Sequence, residues 1–184
     1  MKKPYTLTIF VENNPGVLHR LTVLFTRRRI NIDSVTCSAT EDPRISRFTI
    51  FVGLEERLVP TIVRQICRII EVQQAYASED EDLLYREIGF FKICMASEEL
   101  RAEIEALAKQ HAATVAHVET SHIFLEKTGS EEELTEFYKV FEPYGVQEFV
   151  RSGRIAIRRR PLSSEIGIPL QHLQIEPGTA GDMV

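Results

Sequence analysis

The chain has 184 residues, of which 43% are hydrophobic and 27% are charged, an ordinary composition for a globular protein. This length accommodates one medium domain or two small ones, and either has enough apolar material for a core. Lys and Arg together number 22 against 27 Asp and Glu, for a net charge of -5. That balance argues against a surface that binds nucleic acid through its phosphates.

Apolar runs along the chain are short and interrupted by polar residues, so we expect no membrane-spanning segment and no membrane partner. Lys2 and Lys3 precede a stretch that Thr6 interrupts, which is a strand pattern and not a signal peptide. The widely spaced cysteines are Cys37, Cys67 and Cys94. Their odd number and the lack of a CxxC motif predict small buried residues in a reducing compartment, and hence a cytoplasmic protein.

The first elements alternate between strand and helix patterns. Residues 5–12 alternate apolar and polar side chains, as in a half-buried strand. Asn14 follows as a candidate N-cap, and Pro15 suits the first position of a helix, where its missing N–H costs nothing. The helix then has an apolar stripe at helical spacing, formed by Val17, Leu18, Leu21, Leu24 and Phe25.

Four more elements complete this unit. The pattern predicts strands over residues 32–41 and 46–54, joined by a tight turn over residues 41–44. A helix begins near Val59, with an apolar face formed by Ile62, Val63, Ile66, Ile69 and Ile70. A strand over residues 72–77 closes the unit, and the resulting order β-α-β-β-α-β is that of ferredoxin-like folds.

An acidic, polar run over residues 78–82 predicts a linker over residues 79–85. The same order then recurs: a strand over residues 86–96, a helix, two strands, a helix opened by the capping box of Ser130 and Glu133, and strands over residues 146–151 and 154–159, turned by Ser152-Gly153. We therefore predict an α+β protein of two ferredoxin-like βαββαβ domains, over residues 1–78 and 86–160, and a weakly ordered tail over residues 161–184.

No pattern in the chain indicates catalysis. P-loop, GxGxxG, GxSxG and HExxH motifs are absent from the sequence. His117 and His122 flank a predicted hairpin, but a metal pair needs further ligands that the sequence does not supply. The arginines at 27–29 and 158–160 lie at element ends, where solvated side chains are expected. We predict no catalytic residue, no metal site and no cofactor in this chain.

One stretch does suit a ligand. Asn13 to Gly16 precede the first helix, whose free backbone N–H groups suit a carboxylate. Gly16 leaves room for close approach, and an Asn oxygen accepts from an ammonium group, as Asn31 after the helix also can. The pattern fits the zwitterionic head of a free amino acid. A capped helix with Asn31 in the left-handed C-terminal position explains the same spacing without a ligand.

Longer motifs favour the ligand site over the capped helix alone. Three stretches resemble an ACT domain, a small amino-acid-sensing module: Asn13-x-x-Gly16-x-Leu18-x-Arg20, Leu24-Phe25-x-x-Arg28 and Asn31-Ile32-x-Ser34. The small regulatory subunits of acetolactate synthase (acetohydroxyacid synthase) have sequences similar to residues 40–50, to Arg86-Glu87-Ile88 with Lys92, and to Arg151-Ser152-Gly153-x-x-Ala156-x-x-Arg159. The resemblance covers about residues 4–160.

This resemblance implies a regulatory subunit of branched-chain amino acid biosynthesis, with no active centre of its own. It implies a homodimer of ACT domains that binds the feedback inhibitor valine, or leucine or isoleucine, at the dimer interface. The implied ligand residues are Asn13, Asn14, Pro15, Gly16, Val17 and Leu18 of one chain, with Asn31 and Ile32 of the other. It also implies a large catalytic subunit that condenses pyruvate and carries thiamine diphosphate, Mg²⁺ and FAD.

Two other functions stay open on the sequence. A stand-alone ACT-domain sensor would control a transcription factor or another enzyme, and a co-purifying chain would distinguish it. A ferredoxin-like enzyme of phosphate chemistry would use Arg28 and Asn31 and would show turnover by itself. No general base accompanies those two residues.

Overall fold

Two antiparallel sheets, each packed against two helices, make up the computed structural model, which describes residues 2–160. The first unit contains β1 (Lys2–Glu12), α1 (Val17–Arg27), β2 (Ser34–Ala39), β3 (Ile45–Glu55), α2 (Val59–Ile66) and β4 (Val72–Ser78). The second contains β5 (Leu83–Cys94), α3 (Glu98–Gln110), β6 (Thr114–Val118), β7 (His122–Gly129), α4 (Glu131–Phe141), β8 (Val146–Arg151) and β9 (Ile155–Arg158). The predicted tail, residues 161–184, lies outside the described residues.

The two sheets have the same relative strand order, which confirms the predicted α+β fold class. The first runs β2-β3-β1-β4 and the second β6-β7-β5-β8, so each first strand lies in the middle of its sheet. Between the units, the segment predicted as a linker contains a 3-10 turn over Asp80–Asp82. β5 begins directly afterwards, at Leu83, three residues before the predicted start of the strand.

The end of the second unit differs from the predicted hairpin. β9 pairs with the start of β5, over Leu83–Arg86, and β8 pairs with the later part of the same strand. Ser152, after the end of β8, is still hydrogen-bonded to β5, because its N–H donates to the carbonyl of Ile88 at 2.9 Å. Residues 152–154 are therefore an irregularity along one edge of β5, and the predicted turn at Ser152-Gly153 is wrong.

The first core lies between the sheet and its helices. Its largest fully buried members include Leu7, Leu21, Phe25, Ile50 and Ile62. α2 ends at Ile66, so the helical spacing no longer applies beyond it, and Ile70 is 91% exposed. The prediction that Ile70 belongs to the apolar face is wrong for this reason.

The opposite face of the first sheet is also covered. Thr6 and Thr8 on β1 and Thr49 on β3 are buried, although the alternating pattern predicted a half-buried strand. The segment around β9 contacts this face. The Arg47 guanidinium on β3 donates to the carbonyl of Ala156 on β9, and Arg154 donates to Thr6. The second unit thus covers a polar sheet surface that the sequence pattern assigned to solvent.

The cysteines also differ from expectation. Cys37 and Cys94 are exposed and Cys67 is intermediate, so burial of the first two was predicted wrongly. β2 is an edge strand of the first sheet, and Cys94 is the last residue of β5. Both positions leave a side chain without a covering layer.

Candidate ligand-binding site

The loop between β1 and α1 turns on Gly16, whose φ of +84° lies in the left-handed region. Gly16 is itself the N-cap, and α1 starts at Val17. The predictions of Asn14 as the cap and of Pro15 as the first helical residue are therefore wrong. A left-handed residue is needed just before the helix, and glycine adopts that conformation without strain. The Asn14 side chain instead donates to Glu12 Oε2 at 2.9 Å.

Asn13 is held by the turn between β2 and β3. Its backbone N–H donates to the carbonyl of Arg44 at 2.7 Å, and its Nδ2 donates to the carbonyl of Pro43 at 3.0 Å. The side chain is exposed, and these bonds use only its nitrogen atoms. The amide oxygen therefore remains the group with which Asn13 can accept a bond from a ligand.

The supporting turn is itself fixed by one carboxylate. Asp42 accepts from the backbone N–H of Arg44 at 2.9 Å and from its guanidinium Nη2 at 2.6 Å. Because Arg44 hydrogen-bonds the charged form, the pKa of Asp42 falls to about 2. The sequence predicted this turn but gave no sign that it holds Asn13.

The start of α1 provides donors beside the loop. The first backbone N–H groups of a helix have no partner within it, and here no side chain caps them. The first helical bond runs from the N–H of Arg20 to the carbonyl of Gly16, at 3.1 Å. Of the two predicted wall residues, Leu18 is 44% exposed, whereas Val17 is 2% exposed and belongs to the core.

Arg20 adds a positive charge; it is part of the ACT-like motif, but it was not predicted to have a role at the site. Its Nη2 lies 2.5 Å from Glu71 Oε1, and its Nη1 lies 3.5 Å from the place where a Cβ on Gly16 would be. The guanidinium therefore lies beside the loop, on the side of Gly16 where another residue would have its Cβ. Its position in the Asn13-x-x-Gly16-x-Leu18-x-Arg20 motif, one turn into the helix, is the sequence signal that could have identified it as a site residue.

The other predicted ligand residues lie at the far end of α1. Asn31 Nδ2 donates to Asp33 Oδ1 at 3.1 Å, and Ile32 is half-buried against the core. Arg29, with φ +54°, is the left-handed residue after the helix, so that assignment for Asn31 is wrong. α1 has 11 residues and is about 16 Å long at 1.5 Å per residue. One chain does not bring the two groups together.

The histidines and Arg28, the other candidate site residues, make contacts within the fold. His122 hydrogen-bonds Gln147, and His117 pairs across the sheet with Phe124, so the two histidines do not face each other. Within residues 2–160 no three His, Cys, Asp or Glu side chains are placed to hold a metal ion. Arg28 donates to Gln65, as part of the packing of α1 on α2. No helix in this part of the chain is long and apolar enough to cross a membrane.

Comparison with known proteins accounts for both units. Residues 7–74 match the AHAS small subunit-like ACT domain, and residues 86–160 match the family described as the small subunit of acetolactate synthase. The chain belongs to the acetolactate synthase small subunit family. The family resemblance noted in the sequence is thereby confirmed.

Individual members of the acetolactate synthase small subunit family agree. The small subunit of Mycolicibacterium smegmatis is 35% identical over 85% of this chain and 92% of its own length. That of Bacillus subtilis is 33% identical over 86% of this chain and 91% of its own. The crystal structure of the Thermotoga maritima small subunit is 25% identical, with a TM-score of 0.78 over 87% of this chain and 99% of that one. These matches and the ACT domain support a regulatory subunit role.

Proposed function

We propose that this chain is the regulatory subunit of an acetolactate synthase, which binds and activates a large catalytic subunit and makes it sensitive to valine. Family membership across both units carries the proposal. Thiamine diphosphate, Mg²⁺ and FAD belong to the catalytic partner in this assignment. The chain's own part is to bind an effector and to pass its effect to that partner.

The β1–α1 loop supplies complementary groups for the head of an amino acid. The carboxylate meets the free N–H groups and the positive dipole end of α1. Arg20 raises the local positive charge, although Glu71 neutralises part of it. The amide oxygen of Asn13 accepts from the ammonium group, and exposed Leu18 offers an apolar surface to the valine methyl groups.

The second half of the site comes from another copy of the chain. Asn31 and Ile32 lie about one helix length, about 16 Å, from the loop of their own chain. They reach a ligand only across a two-fold interface, where each copy contributes its loop to one site and its Asn31 segment to the other. Fully burying a valine side chain contributes about 1.5–3 kcal/mol, which gives the moderate affinity of a metabolite sensor.

Inhibition then needs a difference between two states of the complex. Valine shifts the equilibrium only if it binds one arrangement of the two subunits more tightly than another. By joining two ACT domains at their interface, valine stabilises one dimer arrangement. The catalytic subunit responds to that arrangement through its contact with this chain.

The test combines ligand binding with reconstitution. The melting temperature of the full chain is measured with each of the twenty amino acids, for the wild type, Asn13→Ala and the exposed control Gln73→Ala. A ligand at 100 times its Kd adds about 2.7 kcal/mol, or roughly 5–10 °C for a chain of this size. We expect valine to raise the Tm of the wild type and of the control, and to have no effect on Asn13→Ala.

Reconstitution with the catalytic subunit tests whether this chain activates that subunit and makes it sensitive to valine. Asn13→Ala should still activate the enzyme but resist valine. An Asn13→Ala complex with full valine sensitivity would show that the ligand site is elsewhere. A chain that binds valine but never activates the catalytic subunit would instead favour the stand-alone sensor.

A further inference from the structure

A cleft of about 370 Å³ lies between the two units, and none of its lining residues belongs to the β1–α1 loop. Its floor is polar. Register pairs Thr36 with Thr49 and Ser38 with Arg47 across β2 and β3, so these four side chains share one face of the first sheet.

The wall of the cleft comes from the ribbon of β5 and β9. Leu84 pairs with Ile157 and Arg86 with Ile155, so these residues occupy one face of the ribbon. Leu84 is 47% exposed, Ile157 57% and Ile155 65%. Three large aliphatic side chains therefore remain in contact with water at the edge of a concave surface, which is typical of a site that a ligand covers.

The charge in the cleft has one sign. Arg47 and Arg86 line it, and neither guanidinium is among the ion pairs formed within residues 2–160. Arg86 Nη1 donates to the carbonyl of Tyr85 at 2.8 Å, and Arg47 donates to the carbonyl of Ala156. Each guanidinium has five N–H donors, so both retain donors for a ligand. No Asp or Glu is among the residues that line this cleft.

The geometry points to a binding site between the units for a short aliphatic carboxylate that lacks an amino group. The carboxylate binds the two guanidinium groups and the hydroxyls of Ser38 and Thr49, and the aliphatic part covers Leu84 and Ile157. An amino acid fits less well, since its ammonium group would lose water without gaining a carboxylate partner. The volume is within the range of small-molecule sites.

A neighbouring cleft differs in the balance of its charges, although it shares one arginine with the first. That cleft, of about 560 Å³, shares Tyr85 and Arg86 but is also lined by Asp80, Glu81 and Glu133. Its carboxylates outnumber its guanidinium groups, so it does not favour an anion. The inference goes beyond the proposed function, because it concerns another ligand class and another set of residues than the valine loop.

The test uses three probes with the same branched skeleton: 3-methylbutanoate, 3-methyl-2-oxobutanoate and L-valine, each titrated calorimetrically into the full chain. We expect the first two to bind in the cleft. Arg86→Gln removes a charged donor and should weaken their binding about 10-fold or more, whereas Arg57→Gln, on an exposed arginine outside the cleft, should not change it.

A charge-reversal pair isolates the cleft itself. Leu84→Glu places a carboxylate beside the bound anion and should abolish binding, whereas Leu84→Lys, of similar length, loses apolar contact but adds an attractive charge and should weaken binding far less. Circular dichroism and light scattering of both variants verify that fold and oligomeric state are unchanged. Asn13→Ala should lose the response to valine and keep the response to the two carboxylates, so the two sites are judged separately.

Three results would overturn the inference. The first is that neither carboxylate binds at millimolar concentration. The second is that Leu84→Glu and Leu84→Lys bind them equally well. The third is that Leu84→Glu changes the oligomeric state while Arg86→Gln keeps the wild-type affinity for both carboxylates, which would make the ribbon face an interface between copies.

Discussion

Arg154, which precedes β9, donates a hydrogen bond through Nη1 to the hydroxyl of Thr6 on β1, at 3.2 Å. Its guanidinium carbon lies 3.6 Å from the centre of the Phe51 ring and 4.2 Å from that of Tyr85. The same Nη1 donates to Asp80 Oδ1 at 2.8 Å, and the side chain is 3% exposed. One buried cation therefore joins the first sheet, the connecting turn and β5.

Replacing this cation should loosen the contact between the units. Arg154→Met leaves Asp80 without its partner and buried Glu87 with one cation fewer, and breaking a buried ion pair costs about 3 kcal/mol or more. Urea unfolding should show this loss, and Arg154→Lys should not restore stability, because an ammonium group does not stack between two rings as a guanidinium does. Arg57→Met, on an arginine whose side chain is 80% exposed, should keep the wild-type midpoint. An Arg154→Met midpoint equal to that of the control would contradict this role.

Gly153 has no room for a side chain. A Cβ there would lie 2.6 Å from Thr36 Oγ1 and 3.3 Å from the carbonyl oxygen of Val35, so the segment before β9 approaches β2 closely. Gly153→Ala should destabilise the fold by about 1–3 kcal/mol, the usual cost of overpacking. Gly53→Ala is the matched control, because its nearest neighbours would be 4.0 Å away. Thermal unfolding of the two variants measures the difference, and equal Tm values would refute the close approach.

Glu87 should make stability depend on pH. It is 3% exposed, and burial raises its pKa above the ordinary 4.5, against the opposing effect of Arg151 and Arg154. The folded protein then keeps a proton that the unfolded chain has released, so the free energy of unfolding falls as pH rises from 4.5 through the folded pKa. Glu87→Gln should flatten this fall in a Tm series against pH. Exposed Glu136→Gln should leave the wild-type slope, and an unchanged slope in Glu87→Gln would exclude the assignment.

The turn that holds Asn13 should affect the affinity for valine. Asp42→Asn removes the charge that binds Arg44, which frees the carbonyls to which Asn13 donates. We expect the Kd for valine to rise about 3- to 10-fold, the equivalent of one net hydrogen bond, with activation of the catalytic subunit unchanged. Calorimetry against the adjacent exposed control Glu41→Gln checks this. Equal affinities of the two variants would show that the turn does not affect valine binding.

Periodicity predicted which elements form, but not what covers them. The alternation in β1 and the stripe of α1 correctly placed Leu7 and Leu21 in the core, because hydrophobic spacing identifies an inward face. The same alternation left Thr6 facing solvent, since a pattern within one strand does not report that another unit packs on its polar face. Cys37 was predicted to be buried but is exposed. It lies on an edge strand, and the pattern within one strand does not show where that strand lies in the sheet.

The candidate site was predictable where it depends on local sequence. The loop from Asn13 to Gly16 was found because it precedes a helix, whose free N–H groups suit a carboxylate, but the left-handed conformation of Gly16 was not predicted. The support of Asn13 by Pro43 joins residues 30 positions apart, and no local pattern encodes that contact. The pairing of β9 with the start of β5 was missed for the same reason.

The length of α1 also has a genetic consequence. Because the helix separates the β1–α1 loop from Asn31, two defective chains can complement each other in the proposed dimer. A mixed dimer of Asn13→Ala and Asn31→Ala chains combines both substitutions in one site and leaves the other site intact. Co-expression of the two alleles should therefore restore part of the valine response that neither allele has alone, whereas alleles altered at Asn13 and Gly16 should fail to complement.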